Sequence, residues 1–188
     1  KRVYKSAWKT EYRGIPCIKQ PADLWVYQEI IHETEPTVII ETGTHCGGSA
    51  YFMADILRLR GAGMVFTIDI APKTHWEHPF MRQLTGNCLS VDLPLLTSKD
   101  RVMVVLDCDH TREHVSAELK RFAPLVTPGC YLIVEDTNQA GNPIFDGDVD
   151  PYGAVLDFLR TNSQFETDYT REKYGITRPQ VDEYSYQT

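Results

Sequence analysis

Five acidic side chains fall where apolar runs stop. Glu41 ends Val38-Ile39-Ile40, Asp69 ends Met64-Val65-Phe66-Thr67-Ile68, and Asp107 ends Val102-Met103-Val104-Val105-Leu106. Glu135 and Asp136 end Cys130-Tyr131-Leu132-Ile133-Val134. In an open parallel sheet such ends share one edge, so the carboxylates are expected to line one crevice. For any single acid, a helix N-cap is an ordinary alternative; recurrence on every apolar run is harder to explain that way. Asp107, Glu135 and Asp136 belong to runs expected to be neighbours, and clustered carboxylates repel unless a cation sits among them. Hard oxygen donors of this kind suit Mg2+, with Mn2+ and Ca2+ as alternatives. The cluster contains no Cys or His pair at zinc spacing.

Asp69, at the end of the second run, has the place of an acid that grips ribose hydroxyls; a solvated strand-end acid is the plainer reading. His110 follows Asp107 closely in the sequence. It is a candidate general base, because imidazole is the side chain suited to proton transfer near neutral pH. A surface histidine at a helix start is the alternative. His114, one helical turn on, reads as structural. His45 either tolerates the loop backbone or touches a ligand, and His75 and His78, flanking Trp76, are candidates to line a substrate pocket. Cys46 and Cys108 lie near the expected site without a base-paired nucleophile arrangement, and read as small packing residues.

The stretch Glu41-Thr42-Gly43-Thr44-His45-Cys46-Gly47-Gly48-Ser49 joins the first run to a helical pattern. A buried strand, a glycine turn and a helix N-terminus make a place for a nucleotide-like ligand. The glycine order departs from the dinucleotide fingerprint Gly-x-Gly-x-x-Gly. Glu41 would repel a nearby pyrophosphate, which favours a neutral or cationic nucleoside. S-adenosylmethionine is the commonest ligand of that description.

The elements that must position these residues alternate along the chain. Apolar spacing predicts a helix from Pro21 to Ile31, stopped by Glu35-Pro36, then a strand at 37–42 and a helix at 48–60. A strand at 64–70, an irregular segment at 71–80, a short strand at 81–85 and a poor helix at 90–98 follow. The series continues with a strand at 101–107, a helix at 110–123, a strand at 130–136, a long loop at 137–150 and a helix at 151–161. The tail, 164–188, is expected to give one or two closing strands. This order predicts an α/β fold with a mainly parallel, doubly wound sheet and helices on both faces. The runs are continuous rather than alternating, as in strands buried on both sides. Residues 1–20 are read as an arm or lid, and 21–188 as a single ligand-binding domain.

At 188 residues, 42% apolar and 24% charged, the chain suits one soluble domain with a full core. A net charge of −7 gives no general attraction to nucleic acid or anionic membrane. No apolar run has the length of a membrane span, and no secretory signal is visible. Five scattered cysteines without a C-x-x-C pair point to reduced thiols in a cytoplasmic enzyme.

Several blocks, in order, resemble the cephalosporin hydroxylase family. They are Gly14-Ile15-Pro16, Pro21-Ala22-Asp23-Leu24-Trp25-Val26-Tyr27-Gln28-Glu29, Ile39-Ile40-Glu41-Thr42-Gly43-Thr44 with Gly47-Gly48-Ser49, Asp107-Cys108-Asp109-His110, Pro128-Gly129, and Glu135-Asp136-Thr137. Tyr152-Gly153-Ala154-Val155 and Arg171-Glu172-Lys173-Tyr174 also fit. The resemblance implies a Rossmann-like class I S-adenosylmethionine-dependent methyltransferase fold and transfer of a methyl group to a small-molecule hydroxyl with Mg2+ assisting. It implies that Asp107, Glu135 and Asp136 hold Mg2+ and that Glu41, Gly43, Thr44, Gly47, Ser49 and Asp69 hold the cofactor. Asn87 stands where the family often has the Asp of Gly-Asp-Ser, and is a candidate adenine contact. His110 falls where catechol-type enzymes place a catalytic lysine, which makes His110 and Asp107 the candidate catalytic pair. A sugar or natural-product acceptor, with no nucleic acid or membrane partner and with homo-oligomers left open, completes the expectation. Two other functions compete: a nucleoside-binding module without catalysis, and a non-haem iron oxygenase, for which His75-Trp76-Glu77 is the one His-x-acid candidate.

Overall fold

The structure, a computed structural model, describes residues 9–73, 76–137 and 149–174. Its centre is a parallel sheet of β3 (Val38–Thr42), β4 (Met64–Asp69), β5 (Met81–Thr85), β6 (Val102–Leu106) and β7 (Leu132–Val134), in the spatial order β5-β4-β3-β6-β7. The order reverses between β3 and β6, whose registers pair Thr42 with Leu106. That reversal opens a crevice beyond their C-terminal ends. Ahead of the sheet, β1 (Glu11–Tyr12) and β2 (Ile15–Pro16) form a small antiparallel hairpin.

Alternate side chains of each strand serve opposite faces. Ile39, Met103 and Val105 pack with Ile30 and Ile31 of α1 (Pro21–Thr34) and Met53 and Leu57 of α2 (Gly48–Arg60). Ile40, Val104 and Leu106 pack with Val115, Leu119 and Phe122 of α3 (Arg112–Phe122) and Ala154 of α4 (Pro151–Thr161). Both faces are therefore covered, and every residue of β3 and β6 is buried. The doubly wound α/β expectation holds among the described residues.

Boundaries follow local chemistry. Pro21 opens α1 with its missing N–H where none is needed, and Glu35 closes it in the left-handed region at φ 46°. Thr111 caps α3 by accepting from the His114 amide, so the helix begins after His110 rather than at it. The fourth apolar run pairs only over Leu132–Val134, leaving Glu135 and Asp136 in the turn beyond. The weak helix expected at 90–98 does not form. Pro94 interrupts it, and the Arg121 guanidinium donates to the carbonyls of Leu89 and Val91, both at 2.5 Å. Of the expected closing strands, residues 164–168 form no strand, residues 169–174 form a 3-10 helix, and 175–188 lie outside the described residues. Most of the loop at 137–150 lies outside them too. No helix among the described residues is long and apolar enough to cross a membrane.

Candidate active site

A cleft of about 800 Å3 lies beyond the C-terminal ends of β3 and β6, where the strand order reverses. Its first wall is the turn between β3 and α2. Gly43 takes φ 87°, and a Cβ there would stand 1.8 Å from the Asp107 carbonyl oxygen, so only glycine lets the turn lie against β6. Gly47 caps α2 in the left-handed region. Gly43, Thr44, Gly47 and Ser49 all line the cleft.

Glu41 does not line it. Its side chain is fully buried, and its carboxylate accepts from Ser49 Oγ at 2.5 Å and Thr67 Oγ1 at 2.6 Å. Burial raises its pKa, opposed by those two donated hydrogen bonds. The carboxylate expected to accept hydrogen bonds from a ligand already accepts from the chain's own Ser49 and Thr67 hydroxyls, from where it braces the turn from beneath. Ser49 faces the cleft but gives its hydroxyl proton to Glu41.

Asp69 and Asn87 line the second wall. Asp69 Oδ2 accepts from the His45 amide and Oδ1 from the Ala71 amide, each at 2.8 Å. Asn87 Oδ1 accepts from the Leu89 amide at 2.8 Å, which shapes the turn after β5. His45 sits at φ 47° with its ring beside Lys73. His78 is not in the cleft; it is buried against Asp55 at 3.4 Å and the Tyr51 ring. His75 lies outside the described residues.

At the cleft floor, Asp107, His110 and Asp136 each bring a ligand atom to within 4.8 Å of the others. His110 Nε2 lies 3.1 Å from Asp136 Oδ2. Asp136 holds φ 60°, a left-handed conformation uncommon for a residue other than glycine and found at functional turns. Glu135 stands apart from this trio. Its Oε1 lies 3.0 Å from Lys19 Nζ and accepts the Tyr27 hydroxyl.

Lys19 and Tyr27 are the residues that sequence reasoning missed. Lys19, 5% exposed, also donates to Asp107 Oδ2 at 2.7 Å. Burial opposes its charge, but Asp107 and Glu135 outweigh burial and lift its pKa above the ordinary lysine value. Its one available signal was a lone cation in the short segment between Pro16 and Pro21. Asp23, in the first turn of α1, also lines the cleft; burial, followed by the Glu135 charge, raises its carboxyl to about 7.

Comparison with known proteins accords with this geometry. The family profile described as "Rhamnosyl O-methyltransferase/CmcI" matches residues 4–184. The rhamnosyl O-methyltransferase of Mycobacterium bovis is 35% identical over 186 residues, spanning 90% of this chain and 75% of that relative. Its Mycobacterium leprae counterpart is 35% identical over 183 residues, spanning 89% and 79%. Among solved structures, CmcI with S-adenosylhomocysteine superposes at TM-score 0.59 with 22% identity, covering 82% of this chain and 77% of CmcI. MycE with Mg, S-adenosylhomocysteine and mycinamycin VI gives 0.51 and 20%, covering 85% and 45%. These structures share the class I methyltransferase fold. The chain therefore belongs to the rhamnosyl O-methyltransferase/CmcI family of S-adenosylmethionine-dependent O-methyltransferases.

Proposed function

We propose that this chain transfers the methyl group of S-adenosylmethionine to a hydroxyl of a small sugar-bearing acceptor, with Mg2+ as its second cofactor. The observation that supports it most directly is the convergence of the glycine turn and a carboxylate floor on one cleft. The rhamnosyl O-methyltransferase relatives, at 35% identity, favour a sugar hydroxyl over other natural-product acceptors.

The donor chemistry fits the proposed metal, since Asp107, Glu135 and Asp136 offer hard oxygens and carboxylates are the ligands Mg2+ prefers. When bound, Mg2+ supplies Lewis acidity that eases deprotonation of the acceptor hydroxyl. The turn from Gly43 to Ser49, with Asp69 and Asn87, holds the methyl donor and sets its direction. With His110 Nε2 turned to Asp136, Nδ1 is the nitrogen left to take the hydroxyl proton, and Asp136 is placed to pair with the imidazolium formed. S-adenosylmethionine held by that turn would supply the electrophilic methyl group to this oxygen, with S-adenosylhomocysteine as the leaving group. Alignment of the two reactants is the chain's main contribution to this displacement.

The grouping of His110 with Asp107 and Asp136 favours one second reading, in which His110 is itself a metal ligand. Imidazole is a poor ligand for Mg2+, which supports the role of base. His110→Gln separates the two: lost turnover with Mg2+ affinity retained supports the base, and lost affinity supports the ligand.

Asp107→Asn tests the whole scheme, with S-adenosylhomocysteine binding by calorimetry and methyl transfer to rhamnosyl glycosides by mass spectrometry. Transfer should be lost and cofactor binding kept. Full transfer in that variant, or in excess chelator, overturns the metal's role. Cofactor binding with no transfer to any hydroxyl acceptor leaves a nucleoside-binding module, and binding of NAD but not S-adenosylmethionine overturns the methyl-donor site.

A further inference from the structure

Along one wall of the cleft, which Cys88, Cys108 and His114 line, a second group of side chains converges from three separate segments. Cys88 follows Asn87 in the turn after β5, Cys108 follows Asp107 beyond β6, and His114 and Glu118 lie one turn apart on α3. Cys88 Sγ lies 3.6 Å from Cys108 Sγ, 3.4 Å from His114 Nε2 and 3.6 Å from Glu118 Oε1. Cys108 Sγ lies 3.2 Å from His114 Nε2 and 3.1 Å from Glu118 Oε1, and His114 Nε2 is 4.0 Å from Glu118 Oε2.

We propose that Cys88, Cys108, His114 and Glu118 form a zinc-binding site, separate from the carboxylate floor. Zinc bonds of about 2.3 Å to sulfur and about 2.0–2.2 Å to nitrogen and oxygen give a tetrahedron with edges of roughly 3.3–3.8 Å. The five separations among Cys88 Sγ, Cys108 Sγ, His114 Nε2 and Glu118 Oε1, from 3.1 to 3.6 Å, lie at or just below those edges, and the other carboxylate oxygen, Oε2, stands 4.0 Å from His114 Nε2. Glu118 supplies an independent sign. It is fully buried, and its Oε2 has no hydrogen-bond partner among the described residues. A buried carboxylate in that state calls for a cation. Among the described residues the basic group within 4.0 Å of it is the His114 ring, which carries charge only when protonated.

Ligand type sorts the two sites. Two thiolates and an imidazole favour zinc, whereas the oxygen donors of Asp107 and Asp136 favour Mg2+. Four protein ligands close the coordination shell, the arrangement of a structural rather than a catalytic zinc. Binding releases the two thiol protons and needs no oxidant or reductant. The ion would tie the turns that carry Asn87 and Asp107 to α3, fixing one wall of the cleft to the helix behind it. The sequence hides the site because its cysteines sit on different turns and its helical pair is His with Glu.

The test is metal analysis of the full chain expressed with zinc and purified under reducing conditions without chelator. One Zn2+ per chain is expected. Substitution by Co2+ should give thiolate-to-cobalt charge-transfer absorption and the strong visible bands of a tetrahedral site. Cys108→Ser and Glu118→Gln should lose the ion, while Asp107→Asn combined with Asp136→Asn should keep it. If the ligand variants fail to fold, the Co2+ spectrum of the parent chain and protection of Cys88 and Cys108 from alkylation by bound zinc still decide. Metal-free protein with both thiols freely alkylated overturns the proposal. So does a Cys88–Cys108 disulfide in the protein as isolated, or zinc that leaves with Asp107 and Asp136 rather than with the cysteines.

Discussion

Lys19 Nζ lies 2.7 Å from Asp107 Oδ2 and 3.0 Å from Glu135 Oε1, so a buried lysine neutralises part of the carboxylate floor. Lys19 thus occupies oxygens that the proposed Mg2+ site would also draw on. Lys19→Met leaves two carboxylates without their internal partner, which should cost about 3–5 kcal/mol of stability. Added Mg2+ should restore more of the melting temperature in the variant than it adds to the parent. Equal Mg2+ shifts in the two proteins would rule out competition at these oxygens.

Gly43 is the tightest point of the site. Gly43→Ala adds a Cβ 1.8 Å from the Asp107 carbonyl oxygen at φ 87°. The backbone conformation alone costs roughly 1–3 kcal/mol, and the clash must also push β6's end away. Calorimetry should show weakened S-adenosylhomocysteine binding and assays a loss of transfer, even at temperatures where circular dichroism reports a folded chain. Unchanged binding in the variant would show that the turn is not tied to β6.

Glu41 separates bracing from direct contact. Glu41→Ala strands the Ser49 hydroxyl, leaves Thr67 Oγ1 with only Thr44 Oγ1 at 2.7 Å, and should cost roughly 1–3 kcal/mol of stability. Glu41→Gln keeps the shape and removes only the charge, so cofactor affinity should match the parent's. A loss of about tenfold or more in the folded Gln variant, equivalent to about 1.4 kcal/mol, would return Glu41 to the ligand's first contacts.

Acid stability should depend on Asp55, well away from the cleft. Burial would raise its pKa, but hydrogen bonds from Arg13 at 2.8 Å, Arg58 at 2.9 Å, Tyr12 at 3.1 Å and His78 bring it down to about 2. An unfolded aspartate titrates near about 3.9. The folded form therefore binds fewer protons between those values, and the stability Asp55 contributes above pH ~4 is lost as pH falls towards ~2. Asp55→Asn should cost about 1–3 kcal/mol at pH 7, with half-exposed Arg13 and Arg58 keeping the figure low. Urea titrations should find the gap between variant and parent closing below pH ~4. A gap that stays constant down to pH ~2 would remove the charged network as its cause.

The sequence by itself determined the sheet, its two covered faces and the edge on which the site lies. Continuous apolar runs such as Val38-Ile39-Ile40 and Val102 to Leu106 can be satisfied only by burial on both sides, and acids at their ends then collect without further instruction. Tertiary structure decided which carboxylates face the cleft. Glu41 lies one residue inside β3, in register with Thr67, and is closed off by Ser49 and Thr67, while Asp69, two residues beyond Thr67 at the end of β4, remains on the wall. It also decided that Lys19 and Tyr27 reach Glu135, and that two cysteines, a histidine and a glutamate meet beside α3. Periodicity reports which face of an element is buried. It carries no information about which polar atoms from distant segments meet there, and those meetings fix the charge and the chemistry of this site.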